Sequence, residues 1–180
     1  MIKYDCYYVE GCEKKDTWHL FQRVLLAYSD AFSLVYFKYQ DNETQSVGVS
    51  QINEELSQYE MDERIVTEWP GTRQINGRYN YRMVTYRIDS SVFNVMDTLE
   101  KVDTLWDWDY PEYPMDICFY RNGIAWFATS AHEHWNALYL LTDGSFPLAS
   151  DIDSIGIHLV FQHKVVEADI FHLCQGGRLS

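Results

Sequence analysis

Apolar positions along this chain switch period repeatedly, from every second residue to every third or fourth and back. Ile2 to Val9 alternates and is rich in tyrosine, which predicts a strand. Asp16 then suits a helix N-cap, because Trp18, Phe21, Val24 and Leu25 follow at helical spacing. Ala31 to Tyr39 is aromatic and β-branched, the composition of a second strand, and Asp41 to Gln45 reads as a polar loop. Ser50 to Gln58 predicts a short helix, with Ile52 and Leu56 on one face and Glu54 near the capping-box position. A turn around Pro70 and Gly71 leads to a strand over Arg78 to Ile88. Asp89 or Ser90 caps a third helix, whose stripe is Val92, Val95, Met96, Leu99 and Val102.

The sharpest local signal lies further on. Met115 to Arg121 and Ile124 to Ser130 are apolar runs joined by Asn122-Gly123. A two-residue type I′ turn needs positive φ at both central positions, which Asn-Gly supplies, so a hairpin is expected. Counting outward pairs Arg121 with Ile124, Phe119 with Trp126 and Cys118 with Phe127. Strands over Ala137 to Thr142 and Ile155 to Phe161 would widen the sheet. Val165, Val166, Asp169, Ile170 and Leu173 fit a closing helix stopped by Gly176-Gly177, or alternatively a strand. Neither a repeat nor a linker interrupts the pattern. The expectation is a single α+β domain over residues 1–180, mainly an antiparallel sheet of five to seven strands with three or four helices.

Composition narrows the function classes. The chain carries 27 acidic and 14 basic residues, a formal charge of −13. That balance disfavours direct binding to nucleic acid or to an anionic membrane, both of which need a positive surface. It favours steering toward a basic partner. No apolar run approaches the roughly eighteen residues of a membrane span. The N-terminus shows no apolar segment followed by a small-residue cleavage site. Cys6, Cys12, Cys118 and Cys174 lack CxxC spacing, so buried free thiols in a reducing, cytoplasmic setting are expected.

Three features could carry chemistry. His132 and His134 flank Glu133 directly after the hairpin. If the strand continued, the two imidazoles would share a face and could chelate zinc or another divalent transition metal, with a third ligand from elsewhere. The HExxH spacing fails, since Asn136 occupies the place of its second histidine. Asp107-Trp108-Asp109 matches the metal-holding DxD of some glycosyltransferases, but nothing near it supplies a phosphate cradle. GxSxG, P-loop and GxGxxG patterns are missing, and Cys118 falls mid-strand, where a thiol is inert.

The third feature is a region. From Asp97 to Asp116 seven acids stand against Lys101 alone, interleaved with Trp106, Trp108, Tyr110 and Tyr113. Carboxylates around rigid aromatics suit the recognition of a basic protein, the rings anchoring and the acids steering. Arg64 to Arg87 is the counterweight, with Arg64, Arg73, Arg78, Arg82 and Arg87 against Glu68. Those arginines could bind a small anion or pair with the acidic second half.

The run Cys118-Phe119-Tyr120-Arg121-Asn122-Gly123-Ile124-Ala125-Trp126, with Ser130-Ala131-His132-Glu133 after it, resembles a group of small uncharacterised bacterial proteins. They share an aromatic strand, a basic-polar-Gly turn, a second aromatic strand and a His-Glu pair. The resemblance spans about twenty residues; it implies the hairpin and a bacterial or phage origin, and carries no activity with it.

These readings point away from catalysis and cofactors. They point to an acidic interaction protein that neutralises or regulates a basic protein such as a toxin or nuclease, in the manner of an immunity protein, antitoxin or phage-type inhibitor. Its binding residues are expected to be Asp103, Trp106, Asp107, Trp108, Asp109, Tyr110 and Glu112. The alternative is a metal-dependent enzyme centred on His132 and His134.

Overall fold

The computed structural model describes residues 2–37, 45–73, 81–90, 92–144, 152 and 154–173. The chain is α+β. Its strands are β1 (Lys3–Glu10), β2 (Ala31–Phe37), β3 (Glu60–Val66), β4 (Glu68–Trp69), β5 (Thr72–Arg73), β6 (Tyr81–Arg87), β7 (Met115–Arg121), β8 (Ile124–Ser130), β9 (Trp135–Leu141) and β10 (His158–Val166). The described α-helices are α1 (Lys15–Tyr28), α2 (Val47–Leu56) and α3 (Val92–Leu99). Eight strands form one antiparallel sheet in the order β10-β1-β9-β8-β7-β2-β6-β3, and β4-β5 is a separate small hairpin. The sheet is therefore wider than the five to seven strands expected.

Alternation of side chains across β2 shows how the sheet is buried on both sides. Phe32, Leu34 and Tyr36 join the main core with Trp18, Phe21 and Leu25 of α1, Ile52 of α2 and Leu99 of α3. Ala31 and Val35 face the other way, into two smaller apolar clusters. The helices thus cover one face, and the β4-β5 hairpin and residues 170–173 cover part of the other. Phe127 anchors the helical side: its ring meets Phe21 edge-on at 5.4 Å and lies 6.5 Å from Trp18. Burying such rings contributes about 1.5–3 kcal/mol each relative to exposure.

Several sequence expectations shift in register. Positive φ at Asn122 and Gly123 makes the expected turn, and Arg121 pairs with Ile124. A bulge between Phe119 and Tyr120 then sets Phe119 opposite Phe127, not Trp126, so Cys118 does not pair with Phe127 as counted. The second helix begins at Val47 because Ser46 is the better cap: its hydroxyl accepts from the Val49 amide at 3.1 Å and donates to the Glu112 carbonyl at 2.8 Å. Of the two readings of the closing segment, the helix is overturned and the strand holds at its start. Val165 and Val166 complete β10 opposite Tyr4 and Lys3, where cross-strand pairing outweighs helical spacing, and only Glu167–Asp169 coils into a 3₁₀ turn. The turn expected around Pro70 and Gly71 closes the β4-β5 hairpin, whereas strand β3 had no clear signal. The proposed stop at Gly176-Gly177 lies outside the described residues, as do most of the polar loop after Tyr39 and the start of the Arg78 strand.

Gly48 lets α2 dock on the loop before β7. A Cβ there would lie 2.4 Å from the Glu112 carbonyl oxygen and 2.9 Å from the Tyr113 ring. Gly48→Ala is expected to lose about 1–3 kcal/mol by overpacking, read as a lower urea midpoint with an unchanged slope. An unaltered midpoint would show that this contact yields freely.

Candidate binding surfaces

The acidic-aromatic stretch becomes a tightly tied loop on the helical side. Leu105–Asp107 forms a 3₁₀ turn capped by Thr104, whose amide and hydroxyl both donate to Asp107 Oδ2, at 2.9 and 2.7 Å. The Leu105 amide reaches the Cys12 carbonyl at 3.1 Å. Trp108 is fully buried in the main core and leaves the expected binding set, its ring area being worth more inside than at a surface. Asp109 accepts from the Tyr110 amide at 2.9 Å, and the Tyr110 ring lies 5.3 Å from Phe37. Asp103, Asp107, Tyr110 and Glu112 are exposed, while Trp106 and Asp109 are half-buried.

Three ion pairs cross this side. Lys15 lies 2.6 Å from Asp103, Arg23 grips Glu100 through Nε and Nη2 at 2.6 and 3.1 Å, and Lys101 pairs with Glu55. Each cation holds its carboxyl below the ordinary range, chiefly by hydrogen bonding.

The arginines pair with neighbours in the first half of the chain, not with the acidic second half. Arg64 pairs with Asp62, Arg82 with Glu63 at 3.1 Å, Arg87 with Asp89 at 3.1 Å, and Arg73 approaches Glu68 at 3.9 Å. They also divide between the two faces. Arg82 reaches Asn53 of α2 and lies 4.7 Å above the Tyr36 ring, on the helical side. Arg64 and Arg73 line a hollow on the opposite face. Arg78 lies outside the described residues.

The strand does not continue through the histidines. Ala131–Glu133 turns as 3₁₀ and His134 takes a left-handed conformation with φ of 50°. The shared strand face on which chelation depended is therefore not formed. His132 sits 3.8 Å from Glu133, and the His134 ring stacks on Trp106 at 4.9 Å and 15°. Among the described residues no group of three or more His, Cys, Asp or Glu is disposed to hold a metal ion. Cys6, Cys12 and Cys118 are free and buried, and burial raises their thiols, which keeps them protonated. Cys174 lies outside the described residues.

Sequence reasoning missed Asp116. Pairing steps from Ser33–Cys118 to Val35–Met115, so β7 carries one extra residue there, and Asp116 sits in that bulge with φ of 54°. Its carboxylate turns to the face away from the helices. Oδ1 accepts from the Ala131 amide at 2.8 Å, and Oδ2 accepts from Trp69 Nε1 at 2.8 Å and from the Thr72 hydroxyl at 3.4 Å. The clasp holds the β4-β5 hairpin against the sheet. Beside it opens a hollow of about 710 Å³ walled by Trp69, Met83, Trp135 and Phe171 over a floor of Ala125 and Ala128. The hairpin's turn rests on Trp135: Gly71 has φ of 84°, and a Cβ there would lie 2.6 Å from that ring. The one usable signal was an acid set inside an otherwise apolar strand.

Burial pushes the Asp116 carboxyl above its ordinary value of 3.8, opposed by the hydrogen bonds from Trp69 and Ala131. An acid raised on folding holds its proton more tightly in the folded state. Its contribution is full below 3.8 and is lost as pH rises through the folded value.

No family model, curated protein or solved structure matches the chain.

Asp116→Asn keeps a residue type that tolerates the left-handed backbone but turns an NH₂ toward one of two N–H donors. The variant is expected to lose about 1–3 kcal/mol at neutral pH and to show a flatter stability profile on the acid side. Urea titrations across pH measure both; wild-type stability and slope would remove Asp116 as the clasp. Gly71→Ala is expected to raise β4-β5 amide exchange and to weaken Trp135 packing, read by fluorescence; unchanged exchange would mean that the turn adapts.

Proposed function

We propose that this chain binds a basic protein partner through the acidic surface of its helical side, as an immunity protein, antitoxin or phage-encoded inhibitor does with a cationic toxin or nuclease. One observation carries the reading. Lys15–Tyr28, Val47–Leu56 and residues 92–113 together hold nine acids and three bases, and Lys15, Arg23 and Lys101 are all paired. Asp16, Glu54, Asp97, Asp107, Asp109 and Glu112 are left with no cation partner among the described residues. A field of one sign speeds encounter with the opposite sign and sets its salt dependence. The Trp106–His134 stack supplies a flat anchor within the same side, and Tyr110, whose ring packs on Phe37, supplies another where the acidic loop reaches the end of β2. The Lys15–Asp103 pair is more than half exposed at both ends, so an incoming cation can compete for Asp103. No described helix is long and apolar enough to cross a membrane. The expected setting is the cytoplasm, and the role requires neither cofactor nor nucleic acid.

The test is affinity capture from the source cell, with every captured protein then purified and titrated. Charge reversal belongs at Asp97 and Glu112, since Asp107 also caps its turn. Asp97→Lys/Glu112→Lys is expected to weaken a basic partner at least tenfold, with slower association and a shallower salt slope. Equal affinity for wild type and variant would place the contact elsewhere and remove the proposal.

A further inference from the structure

The two edges of the large sheet are guarded very differently. Strand β3 closes one edge and carries Glu60, Asp62, Glu63 and Arg64 among its seven residues. Charges along an edge repel an incoming strand and keep its backbone solvated. Strand β10 closes the other edge over nine residues, His158–Val166, with no acid in its sequence, His-Leu-Val-Phe-Gln-His-Lys-Val-Val. Its guards are one lysine, Lys164, 4.0 Å from Asp5 of β1, and a bulge at Gln162. In a chain with 27 acids this is a long break in the negative surface. Val160 and Phe161 are 39% and 51% exposed, and neighbouring side chains point to opposite faces, so both faces of the edge show apolar area. Phe161 meets Tyr7 of β1 edge-on at 5.8 Å and is still half exposed. Gln162 folds its amide back on the Val160 carbonyl at 3.1 Å, a contact that an arriving backbone amide would replace.

We propose that β10 pairs with β10 of a second copy, joining two sheets into one of sixteen strands. Charge selects this occupant. Two molecules of −13 repel over most of their surface, and β10 is an edge where neither brings a carboxylate. A basic partner would be drawn instead to the acidic helical side. A strand edge meets its own copy antiparallel about a two-fold axis, the pairing used throughout this sheet. Such a ladder would run on either side of the bulge at Gln162, with fewer bonds than an unbroken nine-residue pairing, and would cover Phe161 and Val160 on either face. The dimer would leave both acidic sides open, so it stands apart from partner binding.

Sedimentation equilibrium of the full chain, from micromolar to submillimolar concentration, tests this. Twice the 21.3 kDa chain mass is expected, with Val160→Lys/Phe161→Lys monomeric over the same range and unchanged in circular dichroism. Glu63→Ala, on the other edge, should leave the dimer intact. A wild-type monomer throughout, a lysine variant that still dimerises, or a dimer lost in Glu63→Ala would each overturn the pairing. So would a monomer whose β10 takes up a strand from a different protein. None of these outcomes bears on Asp97→Lys/Glu112→Lys, so the two proposals fail separately.

Discussion

The buried carboxylate of Asp116 is the joint on which the arrangement of surfaces depends. Its side chain ties the β4-β5 hairpin through Trp69 and Thr72, and the histidine turn through the Ala131 amide. Its own amide donates to the Trp108 carbonyl at 3.0 Å, which fixes the end of the acidic loop. One bulged residue therefore links the hollow on one face, the Trp106–His134 stack and the core tryptophan of the other face. A carboxylate can do this because it accepts several bonds at once. The cost of burying it is offset by those donors, and the raised proton affinity shows that the offset is incomplete.

With that joint in place, the acid-rich stretch divides by burial. Trp108 and Asp116 turn inward and serve the fold, while Asp103, Asp107, Tyr110 and Glu112 remain at the surface. Asp107 holds both kinds of role, since it caps a turn and still presents a charge. The helical side keeps its negative character because its few bases are already paired with its own acids. Arg64, Arg73, Arg82 and Arg87 do not cancel that field, being matched by carboxylates of the first half of the chain, Asp62, Glu63, Glu68 and Asp89.

The sheet shows a comparable division at its ends. Acids line β3 and none lines β10, although both strands close the sheet with one edge unpaired among the described residues. Charge is thus distributed by edge as well as by face, with acids on β3 and one lysine on β10.

Local signals accounted for much of the secondary structure. The Asn122-Gly123 hairpin, the stripe of α1 with Trp18, Phe21 and Leu25, and the α+β class all follow from period and turn chemistry, which act between residues close in sequence. Net charge and the acidic excess of the second half are likewise properties of the chain alone. Tertiary contacts decided the rest. A bulge shifted the hairpin register, Ser46 displaced Ser50 as cap because the Glu112 carbonyl lies beside it, and β1 drew Val165 and Val166 into a strand. The site diverged for the same reason: whether Trp108 is an anchor or core, and whether Asp116 is a surface charge or a clasp, depends on partners far away in the chain. Periodicity records which residues can share a face, but only packing determines what that face meets.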